Sequence, residues 1–422
     1  MKNHCLLFYV LLSMFWISAT SAQHDADRVN LDSLVQKALA NNPAIKAAES
    51  HWQAVSERPQ QVRSLPDPQF SYSRFVESVE TRVGPQEHVF TLSQSIPFPG
   101  KLGLKGKIAK EDASAARQNY EAVIRDVVFR VKSAYYDLYW VDRSLDILNR
   151  YLRLLTDFTK VAGQKYATGQ GIQANVLKSQ VEVSSVLEKK LTFQKMRESI
   201  TARLSRLLNR PARTAVGTVV EIDTSRLQLQ EDVLVATALA NREELIGLKA
   251  MVRKSEYKRS LARKDFLPDF SLKANYIDVR EGLSTAPDAG KDAWSLTFGV
   301  NLPIWLGKRN AAVREAEKEV SANQQAFEDL ANQVRAEVWD LHAQIELTSR
   351  TLDLYEEGLL TQAESSLESA LSSYRTGKLD FLDLLDAERM LLNLNLGYVK
   401  EQAGYQKYVA ALEKAVGGEF QQ

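Results

Sequence analysis

Residues 90–101 read Phe90-Thr91-Leu92-Ser93-Gln94-Ser95-Ile96-Pro97-Phe98-Pro99-Gly100-Lys101, and two kinds of structure meet there. Phe90, Leu92 and Ile96 alternate with Thr91, Ser93 and Ser95. A period of two gives an extended strand one apolar and one polar side. Two prolines then end the ladder, since proline has no N–H to donate. No further proline occurs until Pro211, and Lys101 opens a run rich in Ala, Leu, Glu, Lys, Gln and Arg, which favour helix. From Lys101 to Lys165 there is little to stop that helix, which at about 1.5 Å per residue would reach about 100 Å. Ile124, Val127, Val128, Val131, Tyr135, Leu138, Leu145, Ile147, Leu148, Leu152 and Leu155 recur along it at helical spacing. A helix so long, with polar residues between its apolar ones, must lie along partner helices in a coiled-coil-like bundle.

Tyr166-Ala167-Thr168-Gly169-Gln170-Gly171 breaks the pattern, a second helix follows from about Ile172 to Leu208, and Asn209-Arg210-Pro211 stops it. The same organisation returns about 200 residues later. Ala38-Leu39-Ala40-Asn41 matches Ala238-Leu239-Ala240-Asn241, and Leu65-Pro66-Asp67 matches Leu267-Pro268-Asp269. Ile96-Pro97 with Gly100-Lys101 matches Leu302-Pro303 with Gly307-Lys308; Val131–Leu138 matches Val334–Leu341; Tyr166-Ala167-Thr168-Gly169 matches Tyr374-Arg375-Thr376-Gly377. Several matches in one order indicate duplication. The expected organisation is a first repeat over 23–210 (helix, strand pair 69–98, hairpin 101–209), an intervening segment 211–230, a second repeat over 231–416 (helix, strand pair 269–305, hairpin 308–416) and a tail 417–422. The opening helices are expected from Leu31 to Ser64, interrupted near Pro43, and from Glu231 to Phe266. Val216–Ile222 reads as a short β-rich run whose mate is the tail after Ala415.

The strand pairs share the two-sided pattern. Phe70, Tyr72, Arg74 and Val76 alternate with Ser71, Ser73 and Phe75; Phe270, Leu272, Ala274 and Tyr276 with Ser271, Lys273 and Asn275; Trp294, Leu296, Phe298, Val300 and Leu302 with Ser295, Thr297, Gly299 and Asn301. These lengths suit tilted membrane-spanning strands of about 9–11 residues. Strands in lipid must close into a barrel that leaves no edge. Four cannot do so usefully, so copies of the chain must share one barrel, with polar residues facing a wet lumen and apolar ones facing lipid. Loops at about Ser78–Glu87 and Glu281–Asp292 would be external, and Phe98 and Trp305 would anchor the inner rim.

The chain has 422 residues with 54 Lys plus Arg and 53 Asp plus Glu. Residues 1–22 read as a secretory signal: Lys2, an apolar stretch from Cys5 to Ile17, then Thr20 and Ala22 before Gln23. Lys2 is its one charged residue, so removal leaves 53 against 53. That balance excludes a general nucleic-acid binder. Cys5 is the only cysteine, which excludes mature disulfides, thiolate catalysis, cysteine metal sites and a lipid-bearing cysteine at Gln23. The histidines, His4, His24, His51, His88 and His342, form no metal-ligand spacing. His88 falls beside an external loop, and His342 reads as a packing or surface residue. There is no phosphate-binding loop and no nucleophile–base or paired-carboxylate set. No enzyme activity, cofactor or resident metal is expected, and energy for transport must come from a partner.

The duplicated strand pairs and hairpins, Leu65-Pro66-Asp67-Pro68 and the Ser93–Lys101 junction make the chain resemble the TolC-like outer-membrane efflux factors over essentially its whole mature length. The junction is similar to that of the heavy-metal branch associated with RND pumps. The resemblance implies a mainly α fold with a transmembrane β-barrel portion: an elongated α-helical tunnel plus four strands per chain in a trimeric 12-stranded barrel. It implies a homotrimer in the outer membrane of a Gram-negative-type bacterium with a long periplasmic extension, contacting lipid, a periplasmic adaptor (membrane fusion) protein and an inner-membrane pump of RND type. The function implied is a passive exit duct for heavy-metal cations; drug efflux and type I protein secretion are the alternatives on the same fold. The resemblance puts adaptor contacts at the hairpin tips, on Tyr166, Gly169, Asn175, Val176 and Leu177 and on Tyr374, Gly377, Asp383, Leu384 and Leu385. Asn175 departs from the acidic residue common there, and Gln170-Gly171 from the apolar residue that often follows the glycine. Asp380, Asp383 and Asp386, at three-residue spacing, are gate candidates: threefold symmetry would turn an inward carboxylate into a ring that favours cations.

Overall fold

The computed structural model describes residues 29–219, 221–283 and 285–418. The expected signal segment, Cys5, His4, His24 and most of the 417–422 tail lie outside them. Contacts divide the chain into two units. One comprises the chain up to Ala47, Ala122–Arg242 and the chain from Gln333; the other comprises Ala48–Glu121 and Glu243–Asn332.

The opening helices are more broken than their composition suggests. α1 (Leu31–Asn41), α2 (Pro43–Ser56) and α3 (Arg58–Arg63) replace one interrupted helix, and α6 (Glu231–Asn241) and α7 (Glu243–Lys264) replace its counterpart. The break between α6 and α7 has no proline. Arg242 adopts φ −64°, ψ 122°, almost the values of Asn42 at the equivalent break, φ −65°, ψ 123°. At both breaks the cap N–H still reaches the alanine carbonyl four residues back, Ala38 or Ala238, and both alanines are buried. The same backbone geometry thus forms with and without a proline after the break.

α4 (Lys101–Ala167) and α5 (Gln173–Leu207) form the first hairpin. Val131, Ala134, Leu138, Val141, Leu148 and Leu155 of α4 are fully or nearly fully buried; each large apolar side chain so placed contributes about 1.5–3 kcal/mol. Charged groups flank this seam. Asp137 accepts from Arg203 of α5 and, at 2.7 Å, from Lys407 of α10 (Phe381–Val416). Lys132 and Lys414 add pairs of 2.7 Å between α4 and α10, to Glu413 and Asp126.

In the second hairpin α8 (Leu306–Leu354) and α9 (Leu360–Arg375) are joined by a π-helical turn, Tyr355–Leu359. The repeat offset explains it. Val131 to Val334 is 203 residues and Tyr166 to Tyr374 is 208, so the second repeat carries five extra residues. One α turn absorbs about 3.6 of them, and the wider turn takes up the remainder.

Among the described residues of the run Val216–Ile222 there is no strand, only one isolated bridge at Thr218, whose carbonyl accepts from Val29 N–H at 3.3 Å. Side chains take its backbone groups instead. Asp142 accepts from Val219 N–H at 3.1 Å, and Arg197 donates to the carbonyls of Val216 and Gly217 at 3.2 and 3.1 Å. The start of the expected mate, Gly417 and Gly418, closes α10 instead of pairing with it.

The strands β1 (Gln69–Arg74), β3 (Gly84–Ile96), β4 (Phe270–Val279) and β5 (Ala293–Val300) form one antiparallel sheet in the order β1-β3-β4-β5, and β2 (Glu80–Thr81) pairs with the start of β3. The expected loop at 78–87 is therefore partly strand: Gly84–Glu87 belong to β3.

Candidate functional site: the two-faced sheet and the hairpin tips

The register carries the alternation across the sheet. Tyr72, Phe90, Tyr276 and Trp294 stand in one row, and Phe70, Leu92, Ala274 and Leu296 lie on the same face. Ser71, Thr91, Asn275 and Ser295 form a polar row on the other face, where Thr91 Oγ1 donates to Asn275 Oδ1 at 2.9 Å. In a single chain the apolar face is bare: Trp294 is 74% and Phe298 68% exposed. A sheet with a naked aromatic face is built to meet a nonaqueous surround. Among the described residues no helix is long and apolar enough to cross a membrane.

At the sheet's base the repeats lock together. Lys101, almost fully buried, reaches Asp269 at 2.9 Å, Asp265 at 3.2 Å and the Leu267 carbonyl at 3.1 Å. Asp269 also accepts from Phe98 N–H at 2.7 Å, and the Phe98 and Phe270 rings lie 6.3 Å apart. Phe98 is thus partly covered, whereas Trp305 is exposed.

The two tips share one turn. Gly169 (φ +73°) and Gly377 (φ +74°) donate to the carbonyls of Tyr166 and Tyr374, and the next N–H, of Gln170 or Lys378, donates to Lys165 or Ser373. This is the Schellman arrangement, in which a left-handed residue ends the helix, and glycine adopts that conformation without a Cβ penalty. Asn209 (φ 52°) ends α5 in the same way.

The tips differ in what they show. At the first, Tyr166 and Leu177 are exposed, and Asn175 and Val176 are half-buried. At the second, Tyr374, Leu384 and Leu385 are buried with Phe381, leaving Leu382 and Asp383 outside. Lys165 links the tips, its Nζ 3.0 Å from the Tyr374 carbonyl and 4.0 Å above its ring. The three aspartates also separate. Asp380 caps α10 through Phe381 N–H at 2.7 Å, Asp386 pairs with Arg389 at 3.4 Å, and Asp383 is exposed in the first turn.

The family described as outer membrane efflux protein matches residues 34–210 and 234–418, the two repeats in turn. The chain belongs to the outer membrane efflux protein family. It is 22% identical to the outer membrane protein TolC of Vibrio cholerae over 92% of this chain and 90% of that protein. It is 20% identical to the cobalt-zinc-cadmium resistance protein CzcC of Cupriavidus metallidurans over 89% and 86%. Its fold matches a solved structure of the outer-membrane channel OprN with a TM-score of 0.81, covering 92% of this chain and 90% of that one at 17% identity.

One cluster of this efflux protein has no signature in the sequence. Glu388 of α10 is 1% exposed, and its Oε1 has no hydrogen-bond partner. Burial pushes its carboxyl up to about 7. Nearby are buried Glu182, held by Arg389 Nε at 2.8 Å, and Tyr151, whose hydroxyl is also buried without a partner. Burial, then the charges of Glu182 and Glu388, raise the tyrosine's pKa. A glutamate in mid-helix reads as a solvent-facing residue until the neighbouring helices are in place.

Proposed function

We propose that three copies of this chain close a 12-stranded barrel and act as the passive exit duct of a tripartite system, receiving cargo from an inner-membrane pump through a periplasmic adaptor. The observation that carries this reading is the pair of unmatched sheet edges, β1 and β5, in a chain whose sheet has a bare apolar face. Lipid tolerates no free edge.

The repeat supplies the missing junction. Phe70 pairs with Leu92 and Leu272 with Phe298, so β1 maps on β4 with an offset of 202 and β3 on β5 with an offset of 206. Applied to the β3–β4 pair Leu92–Ala274, these offsets put Phe298 opposite Tyr72 of the next copy. Past the strand the offset grows by one, Gly100-Lys101 matching Gly307-Lys308, so Lys101–Asp269 becomes Lys308 against Asp67 of the next copy. Both are exposed, and neither has a partner among the described residues. With Lys308→Cys and Asp67→Cys in the otherwise cysteine-free mature chain, oxidation should yield covalent trimers on a non-reducing gel. Lys308→Cys with Gln69→Cys should not. Monomers from the first pair would overturn the junction.

At the tips, the first presents apolar side chains for an adaptor, while Leu384 and Leu385 brace the second from within. Of the three gate candidates, Asp383 has the freest carboxylate, and three copies would form a ring favouring cations. Asp383→Asn should lower cation selectivity severalfold in planar bilayers; unchanged selectivity would remove Asp383 from the gate. Likeness to CzcC favours metal cations as cargo. A deletion strain should lose tolerance of cobalt, zinc or cadmium and regain it with the wild-type gene; lost drug tolerance or protein secretion with unchanged metal tolerance would overturn that choice.

A further inference from the structure

The outer end of the sheet carries a side-chain cluster that the duct does not need. Between Gln86↔Val279 and His88↔Asp278 the β3–β4 register slips by one residue, leaving Glu87 as an extra residue on β3. In a regular strand Glu87 and His88 would point to opposite faces; a bulge sets both against one residue of the neighbouring strand and re-aims a side chain. A ring nitrogen of His88, a carboxylate oxygen of Glu87 and one of Asp278 accordingly lie within 4.8 Å of one another. All three residues are half-buried. Tyr72 orients the imidazole, its hydroxyl 2.8 Å from His88 Nδ1 and its ring stacked at 5.6 Å. Such a hydrogen bond to the ring of a ligating histidine is the usual support of a metal site.

We propose that Glu87, His88 and Asp278 form a binding site for a divalent transition-metal cation of the zinc type at the outer rim of the barrel. One imidazole and two carboxylates are ligands that zinc accepts, at about 2.0–2.2 Å, so the ligand atoms would draw together by about 1 Å or more. His88 and Asp278 continue the row parity of Phe90 and Tyr276, which puts the site on the outward face, away from the conduction path. It ties β3 to β4, the strands that join the two repeats, and so braces the rim without contacting the cargo. Two cations compete: Arg280 pairs with Glu87, and Arg74 is the register partner of His88 on β1.

The test uses full-length protein extracted in detergent without a polyhistidine tag, stripped with a chelator and titrated with zinc chloride in a calorimeter. One zinc per chain is expected. His88→Gln and Asp278→Asn should each weaken binding by at least about tenfold, and Tyr72→Phe by about tenfold through loss of orientation. Arg280→Gln keeps every ligand and frees Glu87, so it should bind zinc severalfold tighter, and it tests the site even if a ligand variant inserts poorly. With copper(II) as probe, electron paramagnetic resonance should show coupling to one imidazole nitrogen, lost in His88→Gln. Absence of zinc binding, or binding indifferent to His88→Gln and Arg280→Gln alike, would overturn the site while leaving the duct untouched.

Discussion

Replacing Asp142 with alanine is expected to cost the helical unit about 3 kcal/mol and to release the segment between the repeats. Asp142 is buried, with Arg197 Nε at 2.6 Å on one oxygen and Val219 N–H at 3.1 Å on the other. Burial holds its carboxyl above the usual range, against the opposing pull of Arg197 and Val219, so the ionised pair is itself no large source of stability. Breaking such a pair is another matter, because it leaves charge and a backbone donor uncompensated, typically at about 3–5 kcal/mol. The low end applies here: Arg197 is partly solvated and keeps the carbonyls of Val216 and Gly217. Asp142→Asn, which retains an acceptor for Val219, should lose less. Proteolysis of the detergent-extracted protein would detect the change as new cleavage within residues 211–230. Equal resistance and equal melting in wild type and Asp142→Ala would show that the segment is held by something else.

Glu388 should make the protein less stable as pH rises. Its folded pKa stands at about 7, above the ordinary 4.5, so the native state holds the proton more tightly than the unfolded chain. The favourable contribution is complete below about pH 4.5 and is lost as pH climbs through 7. Two and a half units correspond to a ceiling of roughly 3–4 kcal/mol at 1.36 kcal/mol per unit. Glu388→Gln removes this dependence, so the variant should melt at the same temperature as wild type near pH 4.5 and higher at pH 8. Arg389 is engaged by Glu182, and burial is the cause of the Glu388 shift. A wild-type melting temperature that follows the variant's throughout pH 4.5 to 8 would show that Glu388 is solvated or paired in the assembled protein.

The local features were legible because they are periodic or punctuated. Phe90-Thr91-Leu92-Ser93 marks a two-faced strand because side chains alternate every residue. Gly169 and Gly377 mark helix ends because few other residues take a positive φ there. The duplication made those assignments mutually supporting, down to matching turn hydrogen bonds at both tips. Where composition misled, a competing interaction explains it: Val216–Ile222 has strand-forming residues, yet Asp142 and Arg197 claim its backbone, and α6 ends at Asn241 without a proline to signal it.

The candidate site was less legible. Leu384 and Leu385 sit in a recognisable tip motif, but only packing against α9 reveals that they face inward. Glu388 looks like any helical surface charge. His88 has no metal-ligand neighbour at a recognisable spacing, because Asp278 lies in the other repeat and Glu87 is brought to it by a bulge. Lys101 reads as the first residue of a helix, and its carboxylate partners lie more than 160 positions away.

By itself, then, the sequence determined the strands, the long helices, their turns and the duplication, since each follows from the chain's local steric and hydrophobic period. Only the tertiary structure decided which charges pair, which are stranded and which face each tip shows. Those depend on distances between segments far apart in the chain, and no local period encodes them.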